Sequence, residues 1–302
     1  MAEKRKKRME TENCNLINSL ILFIMNSDST VRIQDDMLQT VVFICTPKKG
    51  SEEQSEPPII GTGFLAIDPN KNKVGKDHLY LVTAKHVAKK ISNGDVVIRL
   101  NNKQGVSEYF TDENARWFYH PTDESVDVAV ASCTITPNIA KYKAISFDMF
   151  LTDKIMEQGK IGIGDEVYMI GLFAYVTGSK TNQPIARVGN IAMIPRERIP
   201  VEINKIKHEI EVYLIEARST KGLSGSPVLV RESLPNIGKH YLLGLAMGHW
   251  GPGLKNYYRF NTEYENDVNI GIAVVVPAKK ILEVINHPLF VKFRNEKDNK
   301  QK

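Results

Sequence analysis

From about residue 38 onward the apolar positions fall into short runs rather than long stripes. The stretches "QTVVFIC" (39–45), "HLYLVTA" (78–84), "DVVIRL" (95–100), "DVAVASC" (127–133) and "DEVYMIG" (165–171) are rich in β-branched residues. So are "HEIEVYLIEA" (208–217), "SPVLVR" (226–231), "YLLGLAMG" (241–248) and "NIGIAVVVP" (269–277). Clusters of Gly, Pro, Asn and Asp separate them, and runs of this length and composition read as strands. In "HEIEVYLIEA" the residues Ile210, Val212 and Leu214 alternate onto one face of a single strand, whereas "IAVVV" is apolar throughout and reads as buried on both faces. Helical periodicity is scarce between the strands, which argues against a parallel βαβ sheet. One helix is expected near the end, where Pro277 stands at a first-turn position and Ile281, Leu282 and Ile285 make an apolar stripe.

So many short strands in a chain of 302 residues predict an all-β protein of barrel or sandwich type. Strand signals weaken over residues 134–163, which join two groups of strands. The expected organisation is an N-terminal extension over 1–37 and a first β-unit over 38–140. A linker and second β-unit with a terminal helix follow over 141–290, then a basic tail over 291–302. "PKKGSEEQSEPP" (47–58) reads as a polar, proline-ended loop.

Composition adds mainly exclusions. Apolar residues make up 42% and charged residues 25%, as in ordinary globular proteins. The net charge of +5 is confined to the ends: residues 1–12 carry +2, residues 292–302 carry +3, and the body between is formally neutral. A nucleic-acid-binding face is therefore not expected. Cys14, Cys45 and Cys133 are odd in number and lack ligand spacing, so neither a disulfide framework nor a zinc site is implied, and nothing demands an oxidising compartment. "EKRKKR" ahead of "NLINSLILFIM" imitates the basic and apolar parts of a secretory signal. That apolar run is too short to span a bilayer and Asn18 and Ser19 interrupt it, so it reads as a helix docked on the domain, with a signal or anchor as the alternative. A cytoplasmic location is expected, with export or membrane association through this segment left open.

The stretch "STKGLSGSPVLV" (219–230) raises the question of chemistry. A Gly-rich turn before a strand explains its composition without any reaction, but two other stretches change its weight. "LVTAKHV" puts His86 directly after a strand, and "SVDVAVA" puts Asp127 at the head of another. Together with Ser224 they supply a base, an orienting carboxylate and a nucleophile. A serine hydroxyl attacks poorly at neutral pH unless a base takes its proton, and imidazole is suited to that task. The histidines show no metal-ligand spacing such as H-E-x-x-H, and "GKIGIGDE" (159–166) is not followed by the helix a phosphate loop needs. No metal or cofactor is expected.

On these motifs the chain resembles the trypsin-like serine peptidases with the chymotrypsin double β-barrel, most closely the bacterial intracellular and HtrA-type branch. The matched stretches are "GTGFLA" (61–66), "TAKHV" (83–87), "DVAVA" (127–131), "GDEVYMIG" (164–171), "VGNI" (188–191), "GLSGSP" (222–227), "LLGLAMG" (242–248) and "NIGIAVVVP" (269–277). The resemblance implies a serine endopeptidase with His86, Asp127 and Ser224 as catalytic triad and the amides of Gly222 and Ser224 as oxyanion hole. It makes Gly225 and Ser226 scaffold. Arg218, six residues before the serine, lies where the family has the floor of its substrate pocket, with His249 on a neighbouring wall. Arg218 then either favours acidic substrate side chains, or faces solvent or pairs with Glu216. Val87 and Leu223 replace a disulfide cysteine and an activating aspartate of secreted relatives. That points to regulation by loop ordering or a partner protein, with the extension as a candidate element. No second peptide-binding module is expected after residue 290. Two rival functions are a catalytically silent peptide-binding barrel of the same fold and an α/β-hydrolase esterase. The esterase is disfavoured because position 226 is Ser rather than Gly and the order of triad residues differs.

Overall fold

The computed structural model describes residues 33–47, 56–69, 79–91, 95–135, 139–203, 206–232, 239–249, 258–259 and 271–300. The apolar run near the start and most of the 47–58 loop lie outside the described residues. A short helix α1 (Asp35–Leu38) precedes the strands β1 (Val41–Cys45), β2 (Ile59–Ile67) and β3 (Leu79–Thr83). One turn of helix, α2 (Lys85–Ala88), is followed by β4 (Val96–Asn101), β5 (Ser107–Asp112), β6 (Trp117–Tyr119) and β7 (Ala129–Cys133). The connecting region contributes β8 (Ile145–Ser146), a 3₁₀ turn and α3 (Asp153–Glu157). The second unit holds β9 (Glu166–Gly171), β10 (Ile185–Met193), β11 (Ile199–Ile203), β12 (Ile206–Ile210) and β13 (Tyr213–Glu216). After them come β14 (Pro227–Arg231), β15 (His240–His249), β16 (Tyr258–Arg259), β17 (Ile272–Pro277) and the helices α4 (Ala278–Ile285) and α5 (Pro288–Lys300).

The protein is all-β with two strand units and C-terminal helices, as the strand pattern predicts. The second unit closes into a six-stranded barrel in the order β10-β13-β17-β15-β14-β9. The first runs β5-β4-β1-β2-β3-β7-β6, with β8 added parallel to β2, and its ladder stays open between β5 and β6. It is a half-barrel, and beside the closed barrel it makes the double-barrel arrangement that was expected. Those edge strands are joined by the four residues Glu113–Arg116, and the Asp112 carboxylate accepts the Thr134 amide at 3.3 Å, so a turn and a side chain bridge the gap. β6 is only three residues long, too short to complete a ladder.

The run "HEIEVYLIEA" is two strands, not one. β12 pairs with β11 in a three-stranded sheet, and after Glu211 and Val212 the chain turns into the barrel as β13. The break shifts the alternation: Tyr213, Ile215 and Ala217 enter the barrel core, and Leu214 is only half-buried. Register in a strand has period two, so a one-residue irregularity exchanges the two faces.

β1, β3 and β7 are buried along their whole length. For β3 the cover comes from the C-terminal helix. Phe290 of α5 is fully buried, 4.6 Å from the Phe118 ring and 6.0 Å from Tyr80 by ring centroids, and Arg294 donates to the Tyr80 hydroxyl at 2.7 Å. The stretch read as a basic tail is thus helical through Lys300. Within it Arg294 is only 5% exposed, its guanidinium received by the Tyr80 phenol. The connecting region is also anchored: Phe150 and Leu151 are buried, and Leu151 donates to the Leu242 carbonyl at 2.9 Å.

Emptying the space under α5 tests this docking. Phe290→Ala should cost about 3–5 kcal/mol, the usual penalty for deleting a buried ring. Phe290→Leu should restore most of it, and urea midpoints of the two variants measure the difference.

Candidate active site

β3 and β7 pair antiparallel with Thr83 opposite Ala129. His86 lies three residues beyond Thr83 and Asp127 two before Ala129, so the register delivers both to one end of the sheet. Ala84 keeps extended dihedrals (φ −70°, ψ 141°) before α2 begins, and the helical turn swings His86 toward the facing strand. The contact is double. The His86 amide donates to Asp127 Oδ1 at 2.9 Å, and ring Nδ1 lies 2.6 Å from Oδ2. An ionised Asp127 accepts both, which puts the ring proton on Nδ1 and leaves Nε2 as the basic nitrogen.

Asp127 is buried, with its side chain 7% exposed against 23% for His86. Burial pushes the Asp127 carboxyl up, but the neighbouring imidazole, its two hydrogen bonds and the Lys85 ammonium outweigh this and hold it below 3.8. The Lys85 amine is in turn pushed down, chiefly by burial. Cys45 does not compete as a nucleophile, since burial pushes its thiol up to about 12.

Ser224 sits on the tight turn that leads into β14. Leu223 and Ser226, on either side, are fully buried and anchor the turn in the barrel. The Leu223 amide donates to the Thr220 carbonyl at 3.1 Å, and Gly222 has φ +99°, the value a type II turn requires at its third position. A Cβ at Gly222 would fall 2.9 Å from Leu172 Cγ. Gly225, at φ +90°, meets the Thr62 carbonyl so closely that a Cβ there would lie 2.0 Å from its oxygen. The amides of Gly225 and Ser226 donate to the carbonyls of Ala246 and Leu223 at 2.8 and 3.0 Å. Among the described residues, the amides of Gly222 and Ser224 meet no acceptor.

The serine turn is fastened to the first unit by Thr62 of β2, whose role the sequence did not signal beyond its place in "GTGFLA". Its amide donates to the Ser224 carbonyl at 3.0 Å. Its hydroxyl donates to the Gly222 carbonyl at 2.6 Å and accepts the Leu172 amide at 2.8 Å, and its carbonyl accepts the Thr83 hydroxyl at 2.6 Å. Next to it, a Cβ on Gly61 would lie 2.8 Å from Val87 Cγ1 and 3.4 Å from the Ser224 carbonyl oxygen. The residue after His86 and the backbone of Ser224 are therefore separated by one glycine. The Ser224 hydroxyl itself donates to the Met247 carbonyl at 3.3 Å, a long bond, rather than to His86.

Of the other predicted site residues, Arg218 is exposed between the buried Ala217 and Ser219, and His249 is half-buried at the end of β15, in register with Ala273. Among the described residues no cluster of His, Cys, Asp and Glu has metal-holding geometry, and no helix is long and apolar enough to cross a membrane.

No family model matches the chain, and no curated protein matches it. Solved structures do. The inactive form of the Rv3671c protease shares 17% identity over 82% of this chain and 88% of that one, with a TM-score of 0.44. The active form of the same protease, from M. tuberculosis, shares 16% identity over 82% and 80%, with a TM-score of 0.43. The HtrA-type protease AlgW, with a decapeptide, shares 15% over 83% of this chain and 65% of that one, with a TM-score of 0.45.

The depressed Asp127 carboxyl has a consequence for stability. A carboxyl whose folded pKa lies below its unfolded one stabilises the fold above the unfolded value and ceases to as pH falls through the folded value. The gap in melting temperature between wild type and Asp127→Asn should be constant near neutrality and close as pH drops below 3.8. Thermal melts across acidic buffers measure it, and a gap independent of pH would contradict the assignment.

Proposed function

We propose that the chain is a serine endopeptidase, with Ser224 as nucleophile, His86 as general base and acid, and Asp127 as the carboxylate that orients the imidazole. The observation that carries this reading is the division among the amides of the serine turn. Leu223, Gly225 and Ser226 spend theirs on carbonyls, and Gly222 and Ser224 do not. Those two amides are the donors that an oxyanion hole requires.

The reaction runs as two transfers. Ser224 Oγ bonds to the carbonyl carbon of the scissile peptide as its proton passes to His86 Nε2. The oxygen that gains charge is held by the Gly222 and Ser224 amides. The C–N bond breaks, His86 gives its proton to the departing amine, and an acyl group remains on Ser224. Water, deprotonated by the same nitrogen, then releases the acid and restores the hydroxyl. Asp127 remains ionised throughout and stabilises the imidazolium. Before the first step the Ser224 hydroxyl must exchange Met247 for His86, and its 3.3 Å bond is weak enough to give up. Arg218 and His249 are proposed as substrate-contacting residues on the side that precedes the scissile bond, where a guanidinium favours a carboxylate.

A second reading, a binding barrel without catalysis, draws support from the same Met247 contact. A fluorophosphonate probe separates the two. Wild type should be labelled and Ser224→Ala should not. Gly222→Ala, which crowds Leu172, should slow labelling by about 10²–10³, as loss of one oxyanion donor does. No labelling of wild type would favour the binding barrel.

Substrate preference is tested separately. Peptides with Glu before the cut should be cleaved faster than those with Ala or Lys, and Arg218→Ala should remove the difference. Equal rates on all three would eliminate the cationic pocket.

A further inference from the structure

Asp127 lies on a loop, two residues before its strand begins, so something other than the β-ladder must hold the carboxylate against His86. The residues before it form a polar turn. Asp123 Oδ1 accepts the Ser125 amide at 3.0 Å and its hydroxyl at 2.5 Å, Asp123 Oδ2 accepts from Arg198, and the Val126 amide donates to the Asp123 carbonyl at 3.3 Å. On the His86 side, the Lys85 ammonium donates to the Glu124 carbonyl.

The other flank hangs from α4 through one imidazole. His120, its side chain only 5% exposed, accepts the Asp123 amide on Nδ1 at 3.0 Å, and its Nε2 lies 2.6 Å from Glu283 Oε2 on α4. Because Nδ1 accepts, the ring proton resides on Nε2 and is donated to Glu283. Lys280, one helical turn earlier, holds the same carboxylate at 3.0 and 3.1 Å. Two groups of opposite charge, Lys280 and Glu283, and one neutral ring thus form a continuous path from α4 to the Asp123 amide of the turn that ends at Asp127.

We infer that His120 is a positioning residue for Asp127, its neutral imidazole fixing the Asp123–Val126 turn to Glu283 of α4. This rests on the reading of His86, Asp127 and Ser224 as catalytic. The job needs a side chain that accepts at one end and donates at the other, rigidly spaced, and a neutral imidazole does both. The gain is geometric. Asp127 bonds both the amide and the ring of His86, a fit that a displacement of a few tenths of an ångström spoils, and catalytic groups lose rate steeply when misplaced by about 1 Å. Nothing in the path reaches the groups that would contact substrate, so the effect should fall on turnover.

The test compares His120→Phe, which keeps the volume and removes both bonds, with His120→Asn, whose amide oxygen can still accept the Asp123 amide. His120→Phe should lower kcat and the fluorophosphonate labelling rate together by about tenfold or more, with KM within about twofold. His120→Asn should recover most of that loss. Glu283→Ala, at a half-exposed helical position, serves if His120→Phe does not fold, and should lower kcat several-fold with KM unchanged. Unchanged kcat in His120→Phe, or in Glu283→Ala when the former is unfolded, would overturn the inference, as would a loss carried by KM. Absence of labelling in wild type would overturn the catalytic reading instead, so the two failures are distinguishable.

Discussion

The candidate site depends on the four hydrogen bonds of Thr62. This residue belongs to the first sheet, yet it satisfies two carbonyls and an amide of the second unit and receives the hydroxyl of Thr83. It is fully buried, so each of those groups would otherwise be desolvated without a partner, at a cost of about 1–3 kcal/mol apiece. Only a hydroxyl can donate to Gly222 and accept from Leu172 with one atom; valine would match the shape and meet neither need. Because Thr62 directly precedes Gly63, the residue of β2 paired with Thr83, it also couples the serine turn to the strand that leads to His86. Packing alone would leave the two units free to slide, and hydrogen bonds of fixed direction set their register.

The proposed acid–base pair and the proposed nucleophile reach the site by different physics. His86 and Asp127 are neighbours on one ladder, and their approach follows from pairing Thr83 with Ala129. Ser224 comes from the other end of the chain and is held by turn geometry, by its buried neighbours Leu223 and Ser226, and by Thr62. A second bolt joins the units away from the chemistry. The Arg99 guanidinium of β4, 2% exposed, donates to the Gly178 carbonyl at 2.7 Å, and Asn182 returns a bond to the Arg99 carbonyl at 2.7 Å. The loop after β9 is thereby fixed to the first sheet at both Leu172 and Gly178.

What could be read along the chain follows from the range of the interactions involved. Strand positions and the α4 helix are local patterns of composition and spacing, and they stand where the pattern puts them; the His86, Asp127 and Ser224 motifs are local too, and of these residues the structure joins His86 to Asp127. The break at Glu211 and Val212 left no mark because the alternation of apolar residues continues across it, and only pairing with different partners reveals the change of face. Thr62 was quoted within a motif but its purpose was not visible, since it bonds a residue 160 positions away. His120 is one of several histidines without ligand spacing, and its use is set by a helix more than 150 residues later. The open edge between β5 and β6 likewise depends on how short β6 is, which its aromatic run "WFY" does not announce. Arg294 looked like part of a charged tail because sequence reports charge and not the phenol that receives it.

The separate origins of the two halves of the site bear on how a newly made copy behaves. The amino-terminal sheet carries the imidazole and the carboxylate, yet its cover, Phe290 of α5, and the partner of His120, Glu283 of α4, are both made after Ser224. Under the proposed function, competence arrives only when the barrel forms and Thr62 captures its turn. On the proposed reading, a copy still being synthesised therefore cannot cut its neighbours.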